Sequence, residues 1–294
     1  MPDDLKGNTE TAIVDGGFAL SVDVEDYFQV WAFSDVIARD SWDGFERRVG
    51  DATRACLDLF DRHNAKATFF TLGWVAERDP ELVRDIVARG HEIASHGYDH
   101  TKVNKQTRDA FADDAGRTKK LLEDIAGVAV KGYRAAGFSI DATTPWAHEV
   151  LDDLGHLYSS SSHPIAHDHY GDANASREPY APVAGSAFVE APVATVDILG
   201  KRVTSAGGGW FRASPYVISE ALLRRARRTL QGPVIFYFHP WEIDAGQPRI
   251  KSAPLKSKFR HYVNLKSMEA KLAKMLQTFQ WTRIDDALQL HLSD

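Results

Sequence analysis

Short apolar runs alternate with helical stretches along most of this chain. Of all its features this limits the fold most, because strands rejoined through helices lie parallel, in an open sheet or a barrel. The pattern predicts strands at residues 19–24, 66–72, 92–96, from 132, at 158–162, 232–239 and 281–284. Helices are expected at 52–64, 80–90, 107–127, 144–154, 215–230 and 267–278, that of 80–90 with proline at its start and glycine just past its end. Residues 31–42 read as aromatic and irregular. Residues 163–209, rich in Pro, Gly and Ala, read as a long loop-rich insertion with short strands. No repeat, heptad or clean break divides the chain, so a polar arm over 1–16 and a single domain over 17–294 are expected.

Composition removes several function classes. A net charge of −6 argues against a nucleic-acid binder that works by phosphate neutralisation. The single cysteine, Cys56, excludes an internal disulfide framework and reads as a small buried hydrophobe. No window approaches the ~20 apolar residues of a membrane span. The first residues lack the basic and apolar regions of a signal peptide, so the expectation from the chain as it stands is cytoplasmic. A homo-oligomer is left open.

Four strand ends carry chemistry. The first runs into Asp23, Glu25 and Asp26; alternation puts Asp23 and Glu25 on one face and Asp26 on the other if the strand persists. The others end in His96 and His100, Arg134, and His239. In parallel barrels such ends gather on one rim. The spacing of His96 and His100 places both imidazoles on one face of a helical turn, and with a carboxylate from elsewhere they make a His, His, carboxylate cation site with an open position. His163, His167 and His169 read as a polar loop rimming the cleft rather than a second metal site. Gly207-Gly208-Gly209 lacks the Lys and following helix of a phosphate loop and reads as a cleft wall.

With these residues in place the sequence resembles the polysaccharide deacetylases of carbohydrate esterase family 4, which share the NodB homology fold. The likeness rests on Ala19-Leu20-Ser21-Val22-Asp23, His96-Gly97-Tyr98-Asp99-His100, Arg134-Ala135-Ala136-Gly137-Phe138 and Phe238-His239. It is nearer to the peptidoglycan-deacetylase-like subgroup and to the deacetylases of exosortase-linked exopolysaccharide clusters. Those share Asp23-Val24-Glu25-Asp26-Tyr27-Phe28, the run Gly207 to Arg212, Tyr237 to Glu242, and Phe259-Arg260-His261-Tyr262. The resemblance implies a distorted (β/α) barrel of about seven strands with a loop-rich insertion. It implies a metal-dependent hydrolase, with zinc the expected metal, that removes acetyl groups from N-acetylhexosamine units of a bacterial glycan or its precursor.

In that reading Asp23 is the general base, His239 the acid for the leaving amine, and Arg134 the group that orients Asp23 and keeps it ionised. His96 and His100 hold the metal. A backbone N–H near Gly137 and Phe138 holds the oxyanion. Read from the residues alone, Trp210, Phe211 and Trp241 suit sugar stacking and core packing equally. Two positions depart from the family. Val24 stands where the family's metal carboxylate stands, leaving Glu25 first and Asp26 second for that role. Ala136 and Gly137 replace a frequent Pro-Tyr, so the sugar platform there is smaller. Asp23 and His239, read as strand-end groups outside the packed interior, should tolerate substitution with little loss of stability. Two other functions are weighed: a metal-free cyclic-amide hydrolase of allantoinase type on the same fold, and a non-catalytic glycan-binding module.

Overall fold

The computed structural model describes residues 17–165 and 171–290; the expected arm over 1–16, together with His167 and His169, lies outside the described residues. One parallel sheet organises them. Its strands are β1 (Phe18–Val24), β2 (Thr68–Thr71), β3 (Glu92–Ser95), β4 (Gly132–Tyr133), β5 (Tyr158–Ser159), β6 (Val189–Glu190), β9 (Val234–Phe238) and β10 (Trp281–Thr282). Seven run in the order β9-β1-β2-β3-β4-β5-β6, and β10 pairs with the first two residues of β1. They curl into a half-barrel. The Ala194 N–H, just past β6, donates to the Ile235 carbonyl of β9 and draws the two outer strands together. The antiparallel hairpin of β7 (Thr195–Ile198) and β8 (Lys201–Thr204) lies in the stretch read as an insertion, as does β6.

Strand residues sort by alternation, as a sheet covered on both faces requires. Leu20, Val22, Val24, Phe69, Ile93, Phe236 and Phe238 join the main apolar core with the helices. Ala19, Phe70, Ala94, Ile235 and Tyr237 form a smaller cluster on the other face. That face also carries Ser21, Asp23, Thr68, Glu92 and, from β4's end, Arg134, all buried. This face therefore mixes apolar and buried polar groups, a setting in which each polar group needs a partner.

The helices follow the expected stretches with shifted ends. Arg108–Ala126 is capped by the Thr107 hydroxyl, which accepts from the Ala110 N–H, and ends at Gly127 in the left-handed conformation. Val49–Arg62 starts three residues before the expected helix, and its first N–H groups are satisfied from outside it. Residues 31–42 fold as two short 3₁₀ turns, Trp31–Phe33 and Arg39–Gly44. Among the described residues four helices were not foreseen, Gly73–Arg78, Gly208–Ala213, Leu255–Tyr262 and the short Ile284–Ala287. No helix among the described residues is long and apolar enough to cross a membrane.

Glu92 is buried at the start of β3, the end of the sheet opposite Asp23. It accepts from the Tyr158 hydroxyl at 3.0 Å, the Thr68 hydroxyl and the Asp285 N–H, while Lys131 pairs with Asp285 at 3.1 Å. Burial, then the neighbouring Asp285 charge, pushes the Glu92 carboxyl upward. A carboxyl raised in the folded state gives stability that is fully present below its unfolded value and falls as pH rises through the folded value. Glu92→Gln should therefore flatten the loss of stability between pH 5 and pH 9, by on the order of 1–3 kcal/mol, in denaturant titrations across that range. A variant as pH-sensitive as the parent would place the slope elsewhere.

Candidate metal centre

Strand β1 ends at Val24, and a tight turn follows in which the Glu25 N–H donates to the Asp23 carbonyl at 3.0 Å. The turn keeps Glu25 over the end of the sheet and sends Asp26 away. Asp26 accepts from the Tyr27 N–H at 2.9 Å, the Arg48 N–H at 2.8 Å and the Val49 N–H at 3.0 Å, so both its oxygens are taken and it caps the helix Val49–Arg62. Asp26, held in reserve as a metal carboxylate, is thus corrected to a structural cap. Burial raises its carboxyl to about 6 against those hydrogen bonds.

His96 and His100 do not share a helical turn. They flank a loop after β3, and the chain reverses through Gly97 at φ 72° and His100 itself at φ 61°. A Cβ at Gly97 would also lie 3.0 Å from the Asp114 carboxylate. A histidine in the left-handed region is uncommon, and such strain concentrates at functional sites. The two rings end 5.2 Å apart. His96 Nδ1 meets the Arg134 carbonyl at 2.8 Å, which fixes its ring, and His100 Nε2 lies 3.0 Å from Glu25 Oε2. Burial lowers both histidines, His100 to about 4, so each is neutral at physiological pH, the form that ligates a metal.

Glu25, His96 and His100 offer three ligand atoms within 4.8 Å of one another. Glu25 Oε2 is buried and accepts no hydrogen bond. A buried oxygen left so, facing two neutral imidazoles, fits a divalent cation held at about 2.0–2.2 Å per ligand.

Asp23 lies beside this triad and is held differently. Its Oδ1 accepts from Arg134 Nη1 at 2.7 Å. Arg134 is fully buried; its Nη1 also donates to the Ser21 hydroxyl, its Nε to the Ser160 carbonyl and its Nη2 to the Ser160 hydroxyl, over the Phe70 ring at 4.1 Å. Burial pushes the Asp23 carboxyl up, but Arg134, His96 and His239 outweigh it and the net shift is downward.

His239 follows β9. Its Nε2 lies 3.5 Å from Glu25 Oε1 and 4.0 Å from Asp23 Oδ2, and its Nδ1 meets Glu242 Oε1 at 2.9 Å. Burial would lower this imidazole, but Glu25, Glu242 and Asp23 outweigh it and raise it to about 9. Glu242 in turn accepts from Arg212 Nε at 2.6 Å, and Arg212 donates to the carbonyls of His261, Val263 and Arg260. Burial raises the Glu242 carboxyl, yet Arg212 and His239 bring it down to about 2. Gly208 is needed here: a Cβ on it would fall 1.9 Å from Glu242 Oε1. Arg212→Met would strand a buried carboxylate and three carbonyls. Unfolding titrations should show a loss of about 3–5 kcal/mol, and a loss under 1 kcal/mol would show that the pair is not what holds this wall.

The remaining expected residues divide. Trp210, half exposed, lines a cavity of about 200 Å³ with Tyr237 and His239. Trp241 is not an open platform: it is buried, sandwiched between His239 and His261, and its Nε1–H points at Glu25 Oε1 at 3.4 Å. The Phe138 N–H is spent on the Ala135 carbonyl, and its ring packs on Tyr237, so of the two oxyanion donors only Gly137 remains. His163 is buried beside the Phe138 ring and lines the same cavity as Trp210. A second cavity, about 240 Å³, opens beside His100, Trp31 and Lys102. The larger one near Gly17 and Trp281 lies at the opposite end of β1. Ser21, Ser160, Arg212 and Glu242 went unassigned in the sequence. Ser21 is readable two residues before Asp23 on the same face, and Arg212 and Glu242 close two of the motifs quoted for the family likeness.

Comparison with known proteins bears on this site. Residues 41–158 match the family model "Polysaccharide deacetylase" and residues 160–289 match "Domain of unknown function (DUF3473)". Residues 41–158 thus match a polysaccharide deacetylase domain of the NodB-like, carbohydrate esterase family 4 class. It is 37% identical over 98 residues to a peptidoglycan-N-acetylglucosamine deacetylase of Bacillus cereus, covering 33% of this chain and 36% of that protein. It is 28% identical over 95 residues to a chitooligosaccharide deacetylase of a Bradyrhizobium species, covering 32% and 41%. The chain thus spans well under half the length of these relatives. The crystal structure of a provisionally named polysaccharide deacetylase from Mycobacterium smegmatis superposes with a TM-score of 0.60 at 22% identity, over 92% of this chain and 88% of that one. At that identity the likeness is one of fold. Both matched stretches of this chain supply strands to the one sheet.

Proposed function

We propose that the protein is a metal-dependent N-deacetylase acting on N-acetylhexosamine units of a bacterial polysaccharide or its precursor. The observation that carries this reading is the juxtaposition of the neutral His96 and His100 and the Glu25 carboxylate with an ionised, arginine-held Asp23 on one side and a proton-bearing His239 on the other. Glu25, His96 and His100 would hold a divalent cation, zinc by donor set. When bound, such a cation polarises an amide carbonyl and makes water a nucleophile near neutral pH.

The chain's own groups do the rest. Asp23, kept ionised by Arg134, takes a proton from the attacking water. Arg134 fixes that carboxylate's orientation through its bonds to Ser21 and Ser160. The Gly137 N–H would donate to the charge that develops on the carbonyl oxygen, a contribution often worth about 3 kcal/mol. His239, aligned by Glu242 and Trp241, gives its proton to the departing amine. A bound cation would offset part of the Glu25 charge and bring His239 down from its high value, nearer the working pH. Trp210 offers a face for sugar stacking, and the cavities beside His100 and beside His239 provide room for a glycan.

The test is acetate release from N-acetylglucosamine oligomers and from peptidoglycan fragments, with zinc-loaded and chelator-treated protein. Release is expected with metal, lost on chelation and restored on reloading. Undiminished release without metal would favour the allantoinase-type reading. Binding with no release from any glycan would favour a binding module.

A further inference from the structure

Residues 249–260 contain Arg249, Lys251, Lys256, Lys258 and Arg260 and no carboxylate, in a chain whose net charge is −6. Most of this stretch's second half is the helix Leu255–Tyr262. Its inner side is occupied: His261 stacks on Trp241 at 4.1 Å, and the Phe33 ring lies 4.7 Å from His261. Its outer side is not. Leu255 is 82% exposed and Phe259 70% exposed, and four residues apart they share one face. Among the described residues, none of Arg249, Lys251 and Lys258 is engaged in an ion pair; Lys258 Nζ donates to the Lys251 carbonyl and Arg249 lies over the Tyr262 ring.

We propose that this helix seats the protein on an anionic lipid bilayer, with Leu255 and Phe259 entering the headgroup boundary and the surrounding cations meeting lipid phosphates. Two large apolar side chains within a rim of lysines and arginines are the pattern of an interfacial helix. A protein partner fits less well, because a stable interface needs about 800 Å² per side and two protruding side chains supply a small part of that. A bilayer needs only shallow insertion and a local positive charge, which this segment has and the chain as a whole lacks. The helix is also fixed to the candidate centre. Arg212 binds Glu242 and the carbonyls of Arg260, His261 and Val263, so a protein docked here holds its His239 wall near the membrane surface. The docking stands apart from the chemistry; only its use, presenting the centre to a lipid-linked glycan, rests on the deacetylase reading.

The experiment is flotation of the full chain with phosphatidylcholine vesicles, with and without phosphatidylglycerol, at low and high salt. Binding is expected to the phosphatidylglycerol vesicles alone and to fall with salt. Leu255→Ser with Phe259→Ser, and separately Lys251→Glu with Lys258→Glu, should each lower the partition coefficient about tenfold or more with unchanged thermal midpoints. Three results would overturn the proposal: no binding to anionic vesicles at low salt, equal binding by the variants, or a dimer in solution that Phe259→Ser dissolves while vesicle binding is absent.

Discussion

Alanine in place of His96 or His100 is expected to leave a protein that folds, holds no metal after gel filtration and releases acetate only at background. On the proposed reading each histidine is one of three ligands, and two remaining ligands rarely retain a catalytic ion. Glu25→Ala should behave in the same way, because its Oε2 is the buried oxygen turned toward His100. Asp26→Ala should not. It removes the acceptor for the Arg48 and Val49 N–H groups, so the metal stays and stability falls by about 0.5–2 kcal/mol, the usual loss for a helix cap. Elemental analysis beside a thermal melt separates the two outcomes. A His96→Ala protein with full metal occupancy would remove the triad from the account. An Asp26→Ala protein that loses its metal but not its stability would return Asp26 to the ligand role.

Asp23→Asn is expected to keep the metal and to lower kcat by about 10²–10⁴, the contribution of a positioned acid–base group. The substitution is nearly isosteric and the three ligands are untouched. It will not be silent in stability, and here the expectation from the sequence is corrected. Asp23 is almost fully buried and paired at 2.7 Å with an Arg134 that has no exposure at all. Neutralising it leaves a buried guanidinium with one charge partner fewer, a loss on the order of 1–3 kcal/mol. The kinetics therefore belong well below the variant's lowered melting temperature. A variant as active as the parent would move the base elsewhere; a variant without metal would make Asp23 itself a ligand.

Much of this arrangement can be read from the chain, for identifiable reasons. Strand ends are legible because apolar runs in a parallel sheet must be buried on both faces, so a polar residue at the run's end stands out, as Asp23, His96 and His239 do. Helix ends are legible where capping chemistry is local, as with Thr107 and Gly127. The loop of His96 and His100 is not. Their spacing suits a helical turn, yet two left-handed residues bring the rings together instead, and backbone reversal of that kind leaves no periodic trace. Asp26 depends on a helix start 22 residues further on. Glu242 and Arg212 are invisible as a pair, since their meeting is decided by how the helix Gly208–Ala213 packs over β9's end. Trp241 reads equally well as platform or wall, and only the His261 ring behind it decides for the wall.

The central claim is that one cation sits among Glu25, His96 and His100 while Asp23 stays off it and bound to Arg134. Anomalous diffraction at the zinc absorption edge, from crystals grown with zinc, tests it most directly. The account predicts a single strong peak within bonding distance of Glu25, His96 and His100, with Asp23 still on Arg134. A peak ligated by Asp23 or Asp26, or no peak at these residues in fully loaded protein, would contradict it.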